Sequence, residues 1–288
     1  MRRFLIACLA LIATALPARA EPLKVVASFS ILGDLVRNVG GNAVEVTTLV
    51  GPDSDAHVYS PTPADAKKIA DAKLIVINGL GFEGWVARLI QSSGTKAKIV
   101  TASNGIVPLR SGNDADPHAW QSVNNAKIYV GNISMAITAA DPSAADQLMA
   151  NTQGYLAQLD ALDREVRDAV AKIPQARRKV ISTHNAFGYF AAAYGIEFIA
   201  PLGVSTESEP SARDIAKIIT QIRQAKIPAV FLENVSDPRL IRRISAETGA
   251  RVGGTLYSDS LTAEKGDAPT YIDMVRHNIK ALTRALGD

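Results

Sequence analysis

Runs of apolar, β-branched residues bounded by turn formers recur at Leu23–Phe29, Val44–Val50, Leu74–Leu80 and Lys98–Ala102. Between them, Ile31–Val39 and Ala64–Ala70 carry apolar positions at helical spacing. Strand and helix signals in alternation predict a parallel sheet with helices packed on its faces. The alternation returns with strands at Lys179–Thr183, Glu197–Pro201, Ala229–Glu233 and Val252–Tyr257, and helices at Ala186–Tyr194, Ser211–Ala225, Arg239–Thr248 and Thr270–Leu286. The expected fold class is α/β, as two lobes that each hold a parallel sheet flanked by helices.

From Asp141 to Ile173 there is no strand signal. Leu148, Tyr155, Leu159, Leu162, Val166, Val170 and Ile173 recur there at three- and four-residue steps, the pattern of one long amphipathic helix. Asp141 can cap its first turn, Pro142 suits its first position and Pro174 marks its end. At 1.5 Å per residue it would extend about 45 Å, long enough to run along both lobes as a rigid strut. A packed helix restrains the lobes where a Gly/Ser linker would let them hinge, so little closure on ligand binding is expected. The expected organisation is a first lobe over 21–140, a linking helix over 141–173 and a second lobe over 174–288.

Residues 1–20 differ from the rest. Arg2 and Arg3, an apolar run from Phe4 to Leu16, and Ala18-Arg19-Ala20 before Glu21 form a cleavable secretory signal, with an apolar run too short to span a bilayer. The expected location is therefore the periplasm. Leu5-Ile6-Ala7-Cys8 resembles a lipoprotein box, but Cys8 stands inside the apolar run with almost nothing before it, so it is expected to leave with the signal. Since Cys8 is the only cysteine, disulfides and thiolate chemistry are excluded from the mature chain. Arg2, Arg3 and Arg19 also supply the whole net charge of +3. The mature chain is then near neutral, without the basic footprint of a nucleic-acid binder.

Candidate chemistry is concentrated in a few polar residues beyond strand ends, where open parallel sheets bind their ligands. Of four histidines, His57 and His184 each follow a strand, one per lobe, and His118 lies in Asp116-Pro117-His118-Ala119-Trp120. Asp259 follows the strand Val252–Tyr257 in a position that equally suits a turn or a helix cap. His277, between Arg276 and Asn278, reads as a surface residue, and Asn113-Asp114-Ala115-Asp116 as a solvated acidic loop. Trp85 reads as buried packing, and Trp120 as a shield for the cleft. Ser205–Pro210 reads as a polar loop on the cleft side, with Glu207 and Glu209 exposed.

These segments resemble the zinc- and manganese-binding solute-binding proteins of bacterial ABC importers, the cluster 9 or cluster A-I group. The resemblance rests on Asp55–Pro63, Asn78–Glu83, Asp116–Trp120, Ser182–Phe190 and Leu256–Leu261, spread over the whole mature chain. It implies two α/β lobes joined by one long helix, with a metal ion in the cleft between them. The family's ligand positions map onto His57, His118, His184 and Asp259. It also implies an ABC transporter membrane permease as partner, and a monomer as the working form. Some manganese-binding members carry Glu where this chain has His184, which favours zinc, but the chain lacks the His-rich acidic loop of many zinc members. Manganese is the alternative.

Three neutral imidazoles and one carboxylate suit tetrahedral zinc and leave no coordination position for an activated water. Such a centre holds a metal as transported cargo and is not that of an enzyme. Two other readings stay open at the level of sequence. One is a zinc-dependent hydrolase in which Asp259 stands away from the ion and Glu233 acts as base. The other is a binder of an organic metal chelate, with the histidines only lining the cleft.

Overall fold

A computed structural model describes residues 21–112 and 114–287. The expected secretory signal, with Cys8 in it, lies outside the described residues. The first lobe runs β1 (Leu23–Phe29), α1 (Ser30–Gly40), β2 (Val44–Val50), α2 (Pro63–Asp71), β3 (Leu74–Ile77), α3 (Val86–Ser93) and β4 (Lys98–Thr101). A short antiparallel hairpin, β5 (Arg110–Ser111) and β6 (Asp114–Ala115), leads to α4 (Val123–Ala140) and the long α5 (Ala145–Ala171). The second lobe runs β7 (Lys179–Ile181), α6 (Gly188–Tyr194), β8 (Glu197–Ile199), α7 (Ala212–Ala225), β9 (Ala229–Glu233), α8 (Pro238–Thr248), β10 (Arg251–Leu256) and α9 (Tyr271–Leu286).

Both sheets are parallel and share one topology, β2-β1-β3-β4 in the first lobe and β8-β7-β9-β10 in the second. In each, the chain leaves the first strand in one direction and returns on its other side. The crevice at that reversal, beyond the strands' carboxyl ends, is where such sheets bind ligands.

The central helix differs in detail from the sequence expectation. Asp141 accepts the Ser143 N–H at 3.1 Å and so caps a 3-10 turn over Pro142–Ala144; the α-helix begins only at Ala145. Its apolar stripe is as predicted, with Leu148, Tyr155, Leu159, Leu162, Val166 and Val170 buried. The helix packs against α1, α4, α6 and α9. One continuous apolar core therefore runs from Val25 and Leu35 through α5 to Phe231 and Leu282. Relative motion of the lobes would have to shear these buried side chains, and close-packed interiors resist such shear.

The structure adds two helices to those expected from the sequence, α3 and α4. Among the described residues no helix is long and apolar enough to cross a membrane.

Candidate metal centre

His57, His118, His184 and Asp259 converge between the two sheets, with one potential ligand atom from each all lying within 4.8 Å of one another. His57 is 6% exposed and the other three are 0% exposed. The arrangement is built from loops that each leave a strand end or hairpin and are pinned locally.

His57 sits in the loop after β2. Its backbone N–H donates to Asp55 Oδ1 at 2.8 Å, and Trp85 Nε1 donates to the Ala56 carbonyl at 2.8 Å. Just downstream, Thr62 caps α2 in a capping box with Asp65, whose Oδ2 also accepts the Tyr59 hydroxyl at 2.8 Å. The chain on both sides of His57 is thus held. On the other face of the loop, Asp53 N–H donates to the Leu261 carbonyl of the second lobe at 2.9 Å.

His118 follows β6. Asp116 Oδ1 accepts both its backbone N–H, at 3.0 Å, and its ring Nδ1, at 2.8 Å. His184 follows β7, and Glu233 at the end of β9 accepts the N–H of Thr183 (2.7 Å), the N–H of His184 (3.1 Å) and ring Nδ1 (2.5 Å). Holding Nδ1–H against a carboxylate selects the tautomer whose Nε2 lone pair faces the centre and makes that nitrogen a better donor. Asp259 follows β10. The preceding Ser258 carbonyl accepts from Trp120 Nε1 at 2.9 Å and Gln121 Nε2 at 2.7 Å, so the first lobe helps aim a carboxylate carried by the second.

The facing atoms are spaced for an ion. His57 Nε2 and His118 Nε2 are 3.3 Å apart, and Asp259 carboxylate oxygens lie 3.4, 3.5 and 3.0 Å from Nε2 of His57, His118 and His184. A tetrahedron with metal–nitrogen distances of 2.0–2.1 Å has edges of about 3.3 Å. Nε2 of His184 and both oxygens of Asp259 are buried and make no hydrogen bond. Buried polar atoms are otherwise almost always satisfied, so these donors point at a common centre that a cation would fill.

Charge is arranged to match. Burial alone would push the Asp259 carboxyl up, but His184 and His118 outweigh it and hold it well below the usual carboxylate range. Burial opposes a charge on His184, yet Glu233 and Asp259 raise it well above its ordinary value, and His118 is raised likewise by Asp259 and Asp116 against burial. Phe82 packs edge-on against His57 (4.6 Å between ring centres) and Trp120 against His118 (5.3 Å).

Asp116 does not lie in a solvated loop: it is buried, and Asp114–Ala115 pairs with Arg110–Ser111 as a hairpin that delivers it to His118. Glu233 is not placed as a general base, because its oxygens are taken by His184, Thr183 and Ser258. Asp259 stands within the cluster, not away from it, which removes the geometry the hydrolase reading required. Trp120 is fully buried behind His118 and does not cover the cleft; Trp85 is packed as expected. His277 is half-buried, with Nε2 3.1 Å from the Thr255 carbonyl. Asp116 and Glu233, which orient two of the imidazoles, do not stand out as site residues in the sequence. Asp116 was legible from its place two residues before His118; Glu233 was legible only as a strand-end carboxylate.

Fold and site together define a two-lobed solute-binding protein with a buried centre of three imidazoles and a carboxylate in its cleft. The chain belongs to the family described as zinc-uptake complex component A, periplasmic, which matches residues 25–285. That family is a binding component of ABC importers and not an enzyme. The iron-binding protein YfeA of Yersinia pestis is 35% identical over 93% of this chain and 88% of its own length. The manganese-binding lipoprotein MntA of Halalkalibacterium halodurans is 33% identical over 92% of this chain and 89% of its own. Among solved structures, the periplasmic zinc-binding protein TroA of Treponema pallidum superimposes with a TM-score of 0.89 at 31% identity, covering 93% of this chain and 100% of that one. The chain is thus a divalent-metal-binding protein of an ABC importer, located in the cell envelope.

Proposed function

We propose that His57, His118, His184 and Asp259 hold one divalent transition-metal ion, zinc in preference to manganese, for transfer to the membrane permease of an ABC importer. The observation that carries this is the spacing of three Nε2 atoms and the Asp259 carboxylate at 3.0–3.5 Å, with buried donors that have no hydrogen bond. Relatives named for iron, manganese and zinc support a divalent cargo and leave its identity to ligand chemistry. Imidazole-rich sets bind zinc more tightly than manganese in the general affinity order. We further read 21–140 and 174–288 as the lobes around a linking helix over 141–173, and the mature form as a monomer released by cleavage before Glu21. Metal analysis of the purified mature protein with zinc and manganese in competition tests the central reading. One zinc per chain is expected; a chain that retains neither ion overturns it.

Zinc binding should release protons. In the metal-free protein His118 and His184 keep their protons to higher pH than free histidine, and ligation requires them neutral. At pH 7 binding is therefore expected to release about one proton or more, and affinity should rise with pH through neutrality and fall steeply towards about pH 5. Calorimetry in buffers of different ionisation enthalpy reads the proton count directly. A count of zero at pH 7, with affinity unchanged at pH 5, would exclude ligation by these histidines.

Selectivity should turn on His184. In His184→Glu a hard anionic oxygen replaces nitrogen and can coordinate through two atoms, which suits a larger ion. Glu233 then faces a carboxylate in place of an imidazole N–H, weakening both ions and leaving their ratio as the informative quantity. The zinc-to-manganese affinity ratio is expected to drop at least about tenfold, measured by competition in one buffer. An unchanged ratio in a folded variant would remove His184 from the ligand set.

A further inference from the structure

Two aspartates stand two residues before a histidine of the centre, in Asp55-Ala56-His57 and Asp116-Pro117-His118, and each accepts that histidine's backbone N–H through Oδ1. They use the rest of the carboxylate differently. Asp116 turns inward and also takes ring Nδ1 of its own histidine. Asp55 turns outward: its Oδ2 accepts the Thr206 hydroxyl at 2.6 Å, from a residue 151 positions away on the second lobe.

Thr206 lies at the mouth of the site. Its neighbours Ser205 and Glu207, with His57, Phe82, Asp114 and Pro117, line a cavity of about 240 Å³ that opens onto His57. His57 is also the only member of the cluster with any exposure, 6% against 0% for the others. Its backbone position depends on Asp55, and Asp55 is tied across the cleft to Thr206. The two residues just before Asp55 are also tied to the second lobe, Asp53 to Leu261 and Asn234, and Ser54 to Ser260.

We propose that the Asp55–Thr206 hydrogen bond is a latch that sets how fast bound metal leaves, and that it acts through His57. This rests on the reading of the cluster as a metal centre. An ion sheds ligands in sequence, and the ligand at the mouth, least enclosed by neighbours, is the one able to swing away first. While the latch is closed, Asp55 holds the His57 backbone in place. Widening of the cleft at this mouth breaks the bond and loosens the Asp55–His57 part of the loop, while Asp53 and Ser54 keep its start in place, so the same contact links local opening to release. Asp55 and Thr206 are positioning residues, since neither belongs to the cluster.

The test is zinc dissociation from the loaded, full-length mature protein into excess chelator, followed by stopped flow. Thr206→Val keeps the shape and removes the hydroxyl. It is expected to bind one zinc and release it about three- to tenfold faster, a modest factor because both partners are half-buried and water can replace the lost bond. Thr206→Ser, which retains the hydroxyl, should restore slow release. In a His57→Ala background, Thr206→Val should cause no further acceleration. A loaded Thr206→Val protein that releases zinc at the wild-type rate would overturn the latch, as would equal acceleration with and without His57. Absence of bound zinc in the wild-type protein would instead overturn the metal-centre reading, and the latch with it.

Discussion

Replacing Asp259 by Asn is expected to lower zinc affinity by at least about a thousandfold, roughly 4 kcal/mol. Asp259 is fully buried, is the only carboxylate in the cluster, and places its two oxygens 3.0–3.5 Å from three imidazole nitrogens. The amide keeps the shape but removes the one negative charge that offsets a divalent cation in a buried site, where an unbalanced charge is most costly. The variant should also alter the proton balance in a determined direction. The Asp259 charge helps to raise His118 and His184, so its removal lowers both and reduces proton release on binding at pH 7. Chelator competition and buffer-dependent calorimetry give the two readouts. A loss below tenfold with unchanged proton release would mean that this carboxylate does not touch the ion.

Glu233→Gln is expected to weaken zinc binding by about 10- to 100-fold although Glu233 is no ligand. Its carboxylate receives four donors: two backbone N–H groups, ring Nδ1 of His184 and the Ser258 hydroxyl at 3.0 Å. Gln offers one acceptor oxygen, and its NH2 must face groups that themselves donate, so the His184 ring loses its fixed orientation. A stability loss of about 1–3 kcal/mol should accompany the change, from buried donors left unpaired. Glu83 in the first lobe provides the comparison. It accepts from the Ser28 hydroxyl and the N–H groups of Asn78 and Gly79 in an equivalent cradle, with no imidazole attached. Glu83→Gln should lower thermal stability similarly with a much smaller effect on zinc affinity. If both variants lose stability and neither loses affinity, Glu233 supports the loop alone.

The elements of the fold were largely legible because parallel strands buried on both faces read as apolar runs and their crossover helices as periodic ones. β9 has the predicted ends, Ala229–Glu233. β3 stops at Ile77, three residues before the predicted end, because Gly79, Leu80 and Gly81 all take positive φ and turn the chain away from the sheet. The apolar character of Leu80 concealed that turn. α4 carries a readable stripe at Val123, Ala126, Val130, Ile133 and Ile137, yet its small and β-branched residues lack the polar contrast that marked α5.

The sequence by itself determined the residue types that can ligate, the loops that carry them and the periodicity of the helix between the lobes, because each of these is a local property of a few neighbouring positions. It also contained the repeated aspartate two residues before a histidine, a turn whose hydrogen bond closes within the segment. Only the tertiary structure decided that Glu233 orients His184, 49 residues away, and that Asp55 reaches Thr206 while Asp116 closes on its own histidine. The same holds for the 3.0–3.5 Å spacing that separates a metal centre from three scattered histidines. The physical reason is common to all of them. A side-chain hydrogen bond or a ligand shell depends on tenths of an ångström between segments whose approach is set by strand order and core packing, and no pattern along a single segment encodes that distance.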